Sequence, residues 1–135
     1  MNSLLNNKRI LVVDDDADTC EALRLALEEA GASVIVAHSL DGAFETYRQS
    51  PPHAVIADIR LGRSDGYALI KAIRKTDSEY RGFTPIIAMT SFASPEDQAR
   101  AMAAGFNAFV AKPFDSQSVV AAVANLLKSS DHLAA

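Results

Sequence analysis

Apolar residues follow two rhythms along this chain. Short unbroken runs alternate with longer stretches in which apolar residues return every three or four positions. The runs at 9–13, 33–37, 53–58, 85–90 and 108–111 predict strands. They do not alternate apolar with polar, so helices are expected to cover both faces of the sheet they form, with the first strand buried on both faces. The stretches between them predict helices. One stripe consists of Leu23, Ala26, Leu27 and Ala30, another of Leu40, Ala43, Phe44 and Tyr47. Leu69, Ile70 and Ile73 make a third, over 67–75, and Val119, Val120, Val123, Leu126 and Leu127 make the last. The punctuation agrees. Ser94-Pro95-Glu96-Asp97 is a helix start with a cap, a proline in the first turn and two acids. Gly31 and Gly105 stand where helices should stop.

Strand and helix therefore alternate five times. Strands of this kind make a parallel sheet with helices on both faces, a doubly wound α/β fold. The expected domain spans 9–128, after a loose lead-in at 1–8 and before a tail at 129–135. Residues 76–83 read as a polar loop.

Parallel strands bring their carboxyl ends to one edge, where open α/β sheets bind ligands. The first strand runs straight into Asp14-Asp15-Asp16, the third ends at Asp58, the fourth at Thr90 and the fifth at Lys112. Two carboxylates ~4 Å apart repel by about 4 kcal/mol at an effective dielectric near 20. A helix cap explains Asp16 or Asp18 but not Asp14 and Asp15, which points to a bound cation. Three carboxylates, a hydroxyl and an ammonium suit phosphoryl transfer onto a carboxylate. The acids hold Mg²⁺ or Mn²⁺, one of them is the nucleophile, and Thr90 and Lys112 meet the phosphoryl oxygens. Asp58, standing apart from the acidic pair, is the candidate nucleophile.

The remaining chemistry is sparse. A net charge of −4 argues against a basic nucleic-acid-binding surface. The single cysteine, Cys20, excludes an internal disulfide and is expected to pack in a helix. No apolar run is long enough to cross a bilayer, so a cytoplasmic protein is expected. His38, His53 and His132 lack metal-ligand spacing. A calcium loop starting at Asp14 fails, with Thr19 in place of its glycine and Leu25 in place of its glutamate. A haloacid-dehalogenase-like phosphotransferase is the enzymatic alternative. It wants Thr or Val four residues after its first aspartate, where this chain has Asp18 or Cys20. A flavodoxin would need a glycine- and hydroxyl-rich phosphate loop after the first strand, where this chain is acidic.

The ordered pieces resemble the response-regulator receiver domain, the CheY-like family. They are ILVVDD at 10–15, the run 52–58 with Asp65-Gly66 beyond it, the run 85–90 with Ser91, and Gly105 through Lys112-Pro113-Phe114. The resemblance implies a five-stranded parallel sheet in the order 2-1-3-4-5, the order the flavodoxin-like class is known for. It implies that Asp58 accepts the phosphoryl group from a phosphohistidine, on a histidine kinase or a histidine phosphotransfer protein. Asp15 would bind Mg²⁺ directly, Asp14 largely through water, and the backbone carbonyl of Arg60 would be a third protein ligand. Thr90 and Phe109 would be the switch pair that alters a face for a downstream protein, with homodimerisation on phosphorylation allowed. The Lys112–Pro113 bond would be cis. The chain also departs from the family pattern. Gly62 stands in place of a usual proline, and Phe109 lacks a tyrosine hydroxyl, so packing alone must carry that switch. Bulky Arg60 and Phe92 are expected to hinder the water that removes the phosphoryl group. Such a chain is either a stand-alone receiver or one cut from a hybrid kinase or longer regulator.

Overall fold

The computed structural model describes residues 4–61, 64–80, 83–91, 94–112 and 114–134, with the backbone path alone for 60, 61, 64–66, 79, 80 and 129–134. Five strands form one sheet: β1 (Arg9–Val13), β2 (Ser33–Ala37), β3 (Ala54–Asp58), β6 (Ile86–Thr90) and β7 (Ala108–Ala111). All its pairings are parallel, in the order β2-β1-β3-β6-β7. Counted by strand of the main sheet, this is the expected 2-1-3-4-5. Between β3 and β6, Arg60–Leu61 (β4) and Ser64–Asp65 (β5) form a short antiparallel hairpin, where the sequence predicts only a turn.

The helices are α1 (Ala17–Glu29), α2 (Leu40–Gln49), α3 (Gly66–Tyr80), α4 (Pro95–Ala104) and α5 (Ser116–Ala134). Their starts are built as the sequence implies. The side chain of Asp16 accepts from the Asp18 N–H and the Thr19 hydroxyl, that of Ser39 from Gly42 N–H, and that of Ser94 from Asp97 N–H. Gly105 closes α4 in the left-handed region at φ 115°.

Successive residues of each central strand enter opposite cores. Ile10, Val12, Ala54, Ile56, Ile87 and Met89 pack under α1 and α5. Leu11, Val13, Val55, Ala57, Ile86 and Ala88 pack under α2, α3 and α4. That is why these strands read as unbroken apolar runs.

Three expectations need correction. The lead-in is not loose along its whole length, because Leu5 is fully buried in the α1–α5 core and its N–H bonds the Ala30 carbonyl at 2.9 Å. Helix α3 runs to Tyr80, not 75, since the polar side chains beyond 75 find partners. The Thr76 hydroxyl bonds the Ala72 carbonyl at 3.0 Å, and Asp77 is buried in a hydrogen-bond network. Helix α5 continues through most of the expected tail, as no glycine or proline follows Lys128 to stop it.

Gly31 carries a specific steric duty. Its φ is +103°, and a Cβ there would lie 3.0 Å from Asn6 Oδ1 and 3.1 Å from Asn6 Cα. Gly31→Ala should cost about 1–2 kcal/mol from backbone strain, with the crowding against Asn6 added. Urea denaturation checks this, and an unchanged midpoint would contradict it.

Candidate functional site

Register places the acidic groups together. Val13 pairs with Ala57, so Asp14 and Asp58 each stand one step further along adjacent strands. One carboxylate oxygen from each of Asp14, Asp15 and Asp58 lies within 4.8 Å of the others. Asp14 is 2% and Asp58 8% exposed, whereas Asp15 faces solvent.

Lys112 reaches this cluster from the far side of the sheet. Its Nζ donates to Asp14 Oδ2 at 2.8 Å and to Asp58 Oδ2 at 3.0 Å. An ammonium shared by two nearly buried carboxylates offsets their mutual repulsion. Its backbone is tied in as well, with Lys112 N–H bonded to the Thr90 carbonyl at 2.8 Å. Thr90 is buried at the end of β6, on the same sheet edge. Phe109 is half-buried and packs against the α2–α3–α4 core that contains Ala101 and Phe106. Arg60 opens the short hairpin opposite Asp65. Gly62, Phe92 and Pro113 lie outside the described residues, and with them the expected Lys112–Pro113 geometry.

Sequence reasoning missed two neighbours of the acidic pair. The Cys20 thiol donates to the Asp14 carbonyl at 3.3 Å, and His38 Nδ1 lies 3.1 Å from the same oxygen. A helical cysteine and a histidine without ligand spacing carry no sequence signal for this contact. The sheet edge brings them to it.

The donor set fits a small hard cation. Among the described residues this is the one cluster of three or more potential metal-ligating side chains, and all its ligand atoms are carboxylate oxygens. Mg²⁺ takes one or two carboxylates and keeps several waters, which suits a cluster with one exposed member.

Three groups near the site or the core hold their protons more tightly than usual. Burial pushes the Cys20 thiol up to about 11. Burial, then the hydrogen bond to Asp77, pushes Tyr47 up to about 12. Burial alone would lower Lys112, but the hydrogen bonds it donates to Asp14 and Asp58, with their charges, hold it above its ordinary value. A raised folded-state pKa gives stability that is whole below the unfolded pKa and lost as pH rises through the folded one. Unfolded values begin near 8.5 for cysteine, about 10 for tyrosine and about 10.4 for lysine. The urea midpoint should therefore fall steadily from about pH 8.5 to about pH 12. A flat profile across that window would contradict this.

The response regulator receiver domain family matches residues 10–124. The chain belongs to that family. It is 30% identical to the transcriptional regulatory protein TrcR of Mycobacterium tuberculosis over 93% of this chain and 47% of that one. It is 38% identical to an uncharacterized 14.6 kDa protein of Leptolyngbya boryana, over 82% of this chain and 83% of that one. A two-component response regulator from Clostridium difficile superposes with a TM-score of 0.82 at 27% identity, covering 90% of this chain and 97% of the other. The chain spans about half the length of the transcriptional regulators it matches. Receiver domains of two-component response regulators are phosphoacceptors, not classical enzymes. No helix among the described residues is long and apolar enough to cross a membrane.

Proposed function

We propose that this receiver, taken as residues 9–128, accepts a phosphoryl group on Asp58 from a phosphohistidine of a histidine kinase or histidine phosphotransfer protein. The observation that carries the reading is Lys112 Nζ held between Asp14 and Asp58, with Asp15 beside them. A carboxylate oxygen of Asp58 attacks phosphorus, the P–N bond breaks, and its electron pair stays on the donor imidazole. The product is an acyl phosphate.

Asp14, Asp15, Asp58 and the Arg60 carbonyl would hold Mg²⁺ or Mn²⁺, which supplies positive charge to the phosphoryl oxygens. Lys112 is tethered to Asp58 already, so its ammonium is in place to pair with a phosphoryl oxygen. Thr90 offers its hydroxyl to another. The backbone bond from Lys112 to the Thr90 carbonyl links these two helpers, so a shift in one is felt by the other. Phe109, seated against the core under α4, transmits the change by packing to the face made by α4, β7 and α5. A downstream protein or a second receiver would read that face.

The test is intact mass after incubation with acetyl phosphate, with and without Mg²⁺. Wild-type protein should gain about 80 Da, one HPO₃, only when the metal is present. Peptide mapping after borohydride reduction of the acyl phosphate should place the label on Asp58. No adduct, or one on another residue, would overturn the assignment.

A further inference from the structure

The two metal-facing acids are neighbours in sequence, so the peptide that joins them sets how their carboxylates are aimed. Pairing of β1 ends at Val13, opposite Ala37 and Ala57. The Asp14 carbonyl thus lies just past the ladder, where side chains must hold it. Two of them do. The Cys20 thiol, 2% exposed on α1, approaches to 3.3 Å, and His38 Nδ1, just after β2, to 3.1 Å. A carbonyl oxygen only accepts, so His38 carries its proton on Nδ1 when it makes this bond. The 3.9 Å separation of Cys20 Sγ and His38 Nδ1 follows from their sharing one acceptor.

The two acids depend on this peptide unequally. The Asp14 side chain is held by Lys112 at Oδ2 and by the Asp16 N–H, 2.9 Å from Oδ1. Asp15 is exposed, and its direction is inherited from the backbone on either side. With the Asp14 carbonyl and the Asp16 N–H both fixed, the segment carrying Asp15 has little room to turn.

We propose that His38, with Cys20, is a positioning residue for the divalent cation, holding the Asp14–Asp15 peptide so that the Asp15 carboxylate faces the cluster. The inference rests on the metal-binding reading given above. Residues that orient ligands without touching the ion characteristically change affinity by 10- to 100-fold. His38 lies at the surface, so its replacement is compatible with folding.

The experiment is titration of the protein with Mn²⁺ alone, read by electron paramagnetic resonance, beside the thermal midpoint of the metal-free protein. His38→Ala should bind Mn²⁺ about tenfold more weakly than wild type, with its thermal midpoint kept. His38→Asn places an N–H donor at the same δ position and should recover most of that loss. His38→Gln, whose donor sits one atom further out, should not. Affinity of His38→Ala within about twofold of wild type, or Asn rescuing no better than Gln, would overturn the positioning role and leave the metal site intact. Wild-type protein that binds no Mn²⁺ would overturn both.

Discussion

Asp58→Asn should form no 80 Da adduct at any Mg²⁺ concentration, whereas Asp15→Asn should still form one when Mg²⁺ is raised about 10- to 100-fold. The two residues belong to one cluster, yet an amide at each removes something different. An asparagine side chain at 58 has no carboxylate oxygen to attack phosphorus, so no amount of metal restores the reaction. At 15 the amide oxygen can still coordinate, though without charge, and the deficit is one of affinity that concentration makes good. Neighbouring geometry sharpens the contrast. Asp58 is the acid that shares Lys112 with Asp14, while Asp15 stands in solvent beside them. The measurement is intact mass across a Mg²⁺ series for wild type and both variants. An adduct on Asp58→Asn equal to wild type would show that another acid is attacked.

Arg74→Met should lower stability by about 3 kcal/mol, the lower end of the cost of breaking a buried ion pair from one side, because Asp77 is buried and Arg74 only partly so. The guanidinium uses every edge it has. Nη1 donates to Asp77 Oδ2 at 3.0 Å and to the Thr84 carbonyl at 2.7 Å. Nη2 donates to the Gly105 carbonyl at 2.9 Å and to Asn107 Oδ1 at 2.8 Å, and Nε also faces the Gly105 carbonyl, at 3.3 Å. Asp77 is 6% exposed. It would keep Tyr47 and both Thr84 donors but lose its cation. Arg74 thereby ties α3 to the entrances of β6 and β7 and to the C-cap of α4, at the sheet edge opposite the acids. Urea denaturation of Arg74→Met, Asp77→Asn and the double variant measures the pair. The double variant should lose clearly less than the sum of the singles, because each single leaves its partner stranded. A loss below about 1 kcal/mol for Arg74→Met would contradict the account.

Much of this molecule was legible before its coordinates. Continuous runs such as 10–13 and 54–57 reported burial on both faces, and that alone implied a parallel sheet and one chemical edge. Asp14, Asp15, Asp58, Thr90 and Lys112 could then be named from where strands end. What stayed hidden depended on partners far away in sequence. The length of α3 turned on Asp77, a residue that reads as loop until Arg74, Tyr47 and Thr84 surround it. Leu5 gives no signal because the isolated pair Leu4-Leu5 has no period. Cys20 and His38 meet only because α1 and the end of β2 flank one carbonyl.

The division of the interior into two cores also acts as insulation. Leu11 and Val12 are sequence neighbours, yet they answer to different sets of helices. Substitutions beneath α1 and those beneath α3 should accumulate independently, while pairs on the same side should interfere. A lineage of such proteins could therefore rework one half of the interior while the other half drifted on its own schedule.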